Sequence, residues 1–104
     1  DGIMIHSREK APDEIFHFIE EYQKRGYEKP LMVVPSSFNN VKREEWASRG
    51  VRIVCHANHL LRASYPAMEK VAESILRNGR SFEAEKDGLC MSINSILNLI
   101  PGTR

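Results

Sequence analysis

VRIVCHANHLLRASYPAMEK, Val51 to Lys70, carries an apolar run straight into a helical pattern. The run Val51-Arg52-Ile53-Val54-Cys55 is short, β-branched and nearly continuous, as in a parallel strand covered on both faces. Pro66 then opens a helix with Met68, Val71, Ala72, Ile75 and Leu76 on one face, ended near Asn78-Gly79. Between them lies HANH, His56 to His59. A loop can bring two histidines three residues apart to one metal. No cysteine or third histidine stands at zinc spacing, however, and no HExxH motif is present. HANH therefore reads as the joint between a strand and a helix, with Asn58 forming a turn or leading into the helix. Arg62, just beyond, suits either a carboxylate or the carbonyls at the rim of the fold.

Two further runs resemble the first: Ile3-Met4-Ile5 and Leu31-Met32-Val33-Val34. Helical patterns lie between them. Pro12 with Asp13 and Glu14 behind it is a helix start. Ile15, Phe18, Ile19 and Tyr22 give that helix one apolar face, and Gly26 stops it. Pro35 to Asn40 reads as a loop, followed by a short helix that carries Trp46 and closes at Gly50. Ser81 to Gly88 is polar and reads as a loop. Ser92 caps a last helix with Ile93, Ile96, Leu97 and Ile100, stopped by Pro101-Gly102. The order strand-helix-strand-helix-strand-helix-helix predicts a parallel α/β unit. Three strands alone leave two edges open, so the unit reads as part of a larger sheet, or as one that dimerises to cover its edges.

Length and composition set limits. At 104 residues the chain holds at most one small domain. Its net charge of +1 is well mixed, which argues against the basic face of a nucleic-acid binder. Cys55 and Cys90 show no CxxC spacing and fit a reduced, cytoplasmic setting. No apolar run approaches the length of a membrane helix, and no signal peptide is visible. The chain opens on Asp1-Gly2 rather than Met and enters an apolar run at once. That reads as a segment of something longer, or a mature fragment.

In parallel α/β proteins the chemistry gathers at the carboxyl ends of the strands. Three polar clusters fall there: His6-Ser7-Arg8, Ser36-Ser37-Phe38-Asn39-Asn40, and His56-Ala57-Asn58-His59. His6 is the sharpest candidate. A histidine at the end of a buried strand can bond an anionic substrate or pass a proton. Ser36 and Ser37 can offer hydroxyl and backbone N–H groups to a carboxylate or phosphate, although turn chemistry alone also accounts for them. No carboxylate pair sits at a strand end, so the segment encodes no Mg²⁺ site of its own. Asp13, Glu14, Glu20, Glu21, Glu44 and Glu45 read as solvated residues of exposed helix faces.

Taken together these residues are recognisable. Asp1-Gly2-Ile3-Met4-Ile5-His6-Ser7, Pro12-Asp13-Glu14-Ile15, Val33-Val34-Pro35, Ala57-Asn58-His59-Leu60-Leu61-Arg62-Ala63-Ser64 and Ile93 to Leu99 resemble the C-terminal part of the phosphoenolpyruvate mutases. That family lies in the isocitrate lyase/phosphoenolpyruvate mutase superfamily. Phosphonopyruvate hydrolases share a close variant of the ANHxLRAS signature. The resemblance implies a (β/α)₈ TIM barrel, α/β in class, with residues 1–104 supplying strands six to eight and their helices as the C-terminal segment of a longer enzyme. It implies isomerisation of phosphoenolpyruvate to phosphonopyruvate in phosphonate biosynthesis, with Mg²⁺ held by residues outside this segment and the segment alone inactive. Alternatives on the same scaffold are phosphonopyruvate hydrolysis, carbon–carbon lysis of a 2-hydroxy acid, or a non-catalytic half-barrel that drives oligomerisation.

By position, His6 is similar to the histidine that helps hold the phosphoryl group in that family and is the catalytic candidate. His6, Ser36, Ser37 and Asn58 form the candidate substrate-binding set, with no metal ligand among them. Ser36-Ser37-Phe38-Asn39 looks like the serine-rich, carboxylate-binding loop of isocitrate lyases. The implied partners are a small-molecule substrate and further copies of the chain, assembled by exchange of the Pro66–Arg77 helix or its successor, with no nucleic acid and no membrane. His56 stands where mutases usually carry an aromatic residue, so it is not expected to be required. Ala11 replaces the Asp that commonly precedes Pro12, which removes part of that helix's N-cap.

Overall fold

The three apolar runs pair in parallel, in the order in which they occur along the chain. The computed structural model describes residues 1–102. These hold β1 (Ile3–Ile5), α1 (Asp13–Lys24), β2 (Leu31–Val33), α2 (Arg43–Ser48), β3 (Val51–Val54), α3 (His59–Asn78), α4 (Phe82–Lys86) and α5 (Ile93–Leu97). The chain divides into two compact units, one ending at Asn58 and the other beginning at His59.

The first unit is a sheet covered on one face by helices. Leu31 and Val33 point to the covered face and are buried, as is Val51. They pack with Ile15, Ile19 and Tyr22 of α1 and Trp46 of α2. Phe18, expected on the same face of α1, lies at its edge and is partly exposed. Phe38 comes from the loop after β2, yet it is fully buried and meets Trp46 edge-on at 6.0 Å. Aromatic pairs favour that geometry. Pro12 occupies the cap position of α1 and no side chain caps the helix, in keeping with the alanine that precedes it.

Register gives the sheet a second side. Met4 pairs with Met32, and Met32 with Ile53. Alternation puts these three on the face that α1 and α2 leave uncovered. Met4 and Ile53 are largely exposed there. The ladder slips between Leu31 and Met32, because Leu31 pairs with Val51 and Met32 with Ile53. Arg52 is the extra residue of this irregularity.

The second unit is helical and departs from the sequence expectation in three places. Its long helix starts at His59, so Pro66 lies inside α3 rather than at its start. A proline at this point lacks the N–H that would reach the Arg62 carbonyl, but its fixed φ suits a helix, which can continue with a local adjustment. Ser81 to Gly88 is not a plain loop, since Phe82 to Lys86 form α4. Its composition is polar because most of this short helix faces water, while Ala84 is buried. Leu61, Tyr65, Met68 and Leu76 recur at helical spacing along α3 and are all strongly exposed. α5 is capped as expected, with the Ser92 Oγ accepting from the Ser95 N–H at 3.1 Å. It ends at Leu97, before the expected Ile100. Among the described residues no helix is long and apolar enough to cross a membrane.

Candidate functional site

β1 delivers His6 to the carboxyl end of the sheet, one residue past Ile5. The His6 Nδ1 lies 3.1 Å from the carbonyl oxygen of Val34, just beyond β2. A carbonyl can only accept, so Nδ1 carries the proton and donates. The remaining ring nitrogen, Nε2, is then the one available to a ligand. The imidazole is exposed, and its ring centroid lies 6.2 Å from that of Phe38.

The same Val34 oxygen accepts a second bond, from the Ser36 N–H at 2.9 Å. This closes a three-residue turn around Pro35, which is buried. His6 and the loop after β2 therefore share one backbone atom. The arrangement spends the Ser36 N–H, so that group is not on offer to an anion. Ser36 is half-buried and Ser37 exposed. Neither hydroxyl bonds another group among the described residues, so both are open to a ligand. Asn58 is exposed at the end of the loop after β3. Among the described residues no hydrogen bond joins it to His6, Ser36 or Ser37. The structure thus brings His6 and the Ser36 loop together, and places Asn58 at the same end of the sheet without linking it to them.

Two roles go beyond the sequence reading. Ser7, 6% exposed, donates its Oγ hydrogen to the Glu14 carboxylate and accepts from the Glu9 N–H at 3.1 Å. Glu14 is therefore not simply a solvated residue of α1. Four more of these acids have ion-pair partners: Glu21 with Lys24, Glu44 with Arg43, and Glu20 and Glu45 with Arg49. A strand-end serine seven residues before a first-turn acid was the available signal. The Val34 carbonyl left none, because every residue has one.

The carboxylates with shifted pKa values lie elsewhere. Glu21 and Glu83 sit below the ordinary value, chiefly through hydrogen bonds from Lys24 and Arg80. Glu44 is lowered first by a backbone N–H and then by Arg43. These are surface pairs rather than an acid–base constellation. An open cleft of about 1050 Å³ is lined by Ile3, Phe18, Tyr22, Arg25, Tyr27 and Lys29. It lies at the amino ends of β1 and β2, the wrong end for parallel α/β chemistry. Among the described residues no group of three or more His, Cys, Asp or Glu side chains is placed to hold a metal.

Three parallel strands with flanking helices and polar loops at their carboxyl ends form a partial β/α unit, consistent with part of a TIM-barrel-like fold. The sequence signature of the phosphoenolpyruvate phosphomutase family matches residues 1–76, and the chain belongs to that family, within the isocitrate lyase/phosphoenolpyruvate mutase superfamily. It is 34% identical over 100 residues to the phosphonopyruvate hydrolase of Variovorax sp. (strain Pal2), covering 95% of this chain and 33% of that protein. The crystal structure of a phosphoenolpyruvate phosphomutase from Streptomyces platensis subsp. rosaceus superposes with a TM-score of 0.82 at 27% identity, covering 95% of this chain and 33% of that one. A phosphonopyruvate hydrolase complexed with oxalate and Mg²⁺ superposes with a TM-score of 0.79 at 34% identity, covering 95% of this chain and 34% of that one. The chain thus spans about a third of the length of the relatives it matches.

Proposed function

We propose that this chain is the C-terminal part of an enzyme that breaks the P–C bond of phosphonopyruvate by hydrolysis. The observation that carries the reading is its 34% identity to a phosphonopyruvate hydrolase along 95% of its own length. Water adds to phosphorus, the P–C bond opens, and the carbon takes up a proton, giving phosphate and pyruvate. The mutase reaction, which rejoins the phosphoryl group to the enolate oxygen, is the second reading. It is favoured by the family signature over residues 1–76 and by the likeness to the Streptomyces phosphomutase.

In either reaction His6 holds the phosphoryl group. With Nδ1 committed to Val34, the ring meets a phosphoryl oxygen through Nε2, donating in the imidazolium form. Ser36 and Ser37 offer hydroxyls to the substrate's oxygens, and Asn58 contributes from the loop after β3. Positioning and charge stabilisation dominate a loose phosphoryl-transfer state. The Mg²⁺ seen with the related hydrolase finds no ligand set among the described residues. Its ligands belong to sequence outside this chain, and no step here is assigned to it. The exposed stripe on α3 supports assembly with further copies, and two free thiols suit a cytoplasmic enzyme.

The test is ³¹P NMR of phosphonopyruvate incubated with Mg²⁺ and the intact protein. Inorganic phosphate is expected. Phosphoenolpyruvate in its place would establish the mutase reading, and unchanged phosphonopyruvate would sink both.

A further inference from the structure

His6 sits between two clamps. On its amino side Ile5 is in register with Val33. On its carboxyl side the buried Ser7 ties the chain to the first turn of α1. The Ser7 Oγ donates to Glu14 and accepts from the Glu9 N–H, so one hydroxyl bridges the start of the helix and the loop that leads to it. A hydroxyl-to-carboxylate bond is charge-assisted, and this one is part-buried, where such bonds are stronger than in open water. With the backbone held on both sides, the bond from Nδ1 to the Val34 oxygen sets the remaining freedom of the ring. A strand-end histidine on a loose loop would instead sample several rotamers and both neutral tautomers.

We propose that Ser7 and Glu14 are positioning residues for His6. They act through the backbone, fixing the His6 Cα so that the Nδ1–H reaches Val34 and Nε2 is left as the working nitrogen. The proposal rests on the assignment of His6 to the phosphoryl group. It differs from a purely structural role, in which loss of the bond would lower stability without moving the imidazole.

The experiment compares Ser7→Ala, Ser7→Thr and Glu14→Gln in the intact protein, by steady-state kinetics on phosphonopyruvate and by ¹⁵N spectra of the His6 ring. Ser7→Ala is expected to lower kcat about 10- to 100-fold, with KM little changed, since misplacement falls on the transition state. Its His6 nitrogens should shift toward a tautomer mixture. Ser7→Thr keeps the hydroxyl and should restore most of kcat. Glu14→Gln, at an exposed position, keeps an acceptor and loses the charge, so its loss should be smaller but present. Wild-type kcat with unmoved His6 nitrogens in Ser7→Ala would overturn the proposal, as would a loss that Ser7→Thr fails to restore. If Ser7→Ala does not fold, Glu14→Gln decides, and an unchanged kcat there overturns it. Wild-type turnover in His6→Ala would instead overturn the role of His6, while the ring spectra would still report whether Ser7 positions it.

Discussion

The His6 Nδ1 donates to the Val34 carbonyl oxygen across 3.1 Å, tying a side chain from the end of β1 to the backbone just past β2. The bond fixes the tautomer. In the neutral ring Nδ1 should resonate as a protonated nitrogen and Nε2 as one with a lone pair. Histidine ¹⁵N spectra of the intact protein, assigned with His6→Asn, check this. Turnover of His6→Ala should fall about 10²–10³-fold, as when a single well-placed donor to a developing charge is removed.

Phe38 couples the site to the core. It is fully buried, meets Trp46 at 6.0 Å, and lies 6.2 Å from the His6 ring. Phe38→Ala should cost about 3–5 kcal/mol of stability, the usual range for a buried phenyl ring. Tryptophan fluorescence during denaturant unfolding reads the loss directly, because Trp46 is the sole tryptophan.

Gly50 and Gly79 both have positive φ, +87° and +65°. An added Cβ at Gly50 would come within 2.7 Å of the Gln23 Nε2, which donates to the Arg49 carbonyl at 2.8 Å. At Gly79 nothing lies within 4 Å. Gly79→Ala should therefore cost only the left-handed backbone penalty, about 1–2 kcal/mol. Gly50→Ala should cost more, because the same penalty is joined by a disturbed hydrogen bond. Thermal melts of the two variants should rank in that order.

Arg80 donates to Glu83 through both Nε and Nη2, holding that carboxyl below its ordinary 4.5. The folded state therefore favours the charged form. The pair's contribution is present above pH 4.5 and is lost as the pH falls through the depressed folded value. A carboxyl ¹³C titration should place the Glu83 midpoint below 4.5, and Arg80→Ala should move it back toward that value.

Leu61, Tyr65, Met68 and Leu76 leave an apolar stripe exposed along α3. The intact protein should run as an oligomer in light scattering. Replacing Met68 and Leu76 together by Asp should lower its mass to that of the monomer, whereas Arg80→Ala should not.

The strands were legible because each is a short β-branched run, a local property of the chain. α1 was legible because Ile15, Ile19 and Tyr22 repeat at helical spacing above Asp13 and Glu14. Pro66 misled because proline is commonest at a helix start, and nothing local distinguishes that case from a proline tolerated inside. α4 was hidden because so short a helix buries little beyond Ala84. At the candidate site, the position of His6 at the end of β1 could be read from the run that precedes it. Its partner could not, since the Val34 oxygen lies 28 residues away and belongs to the backbone.

The slipped register at Arg52 acts as a change of phase. In an unbroken ladder Arg52 would face Met32 and Ile53 would face Val33, which would put a guanidinium in the row of Met4 and Met32. By absorbing one residue, the strand sends Ile53 to that row and returns Val54 to the helix-covered side. Every residue downstream inherits the switch. The direction in which the chain leaves toward His56 and Asn58 is thus set by parity within β3, so adding or deleting one residue there would re-aim the loop without altering a single loop residue.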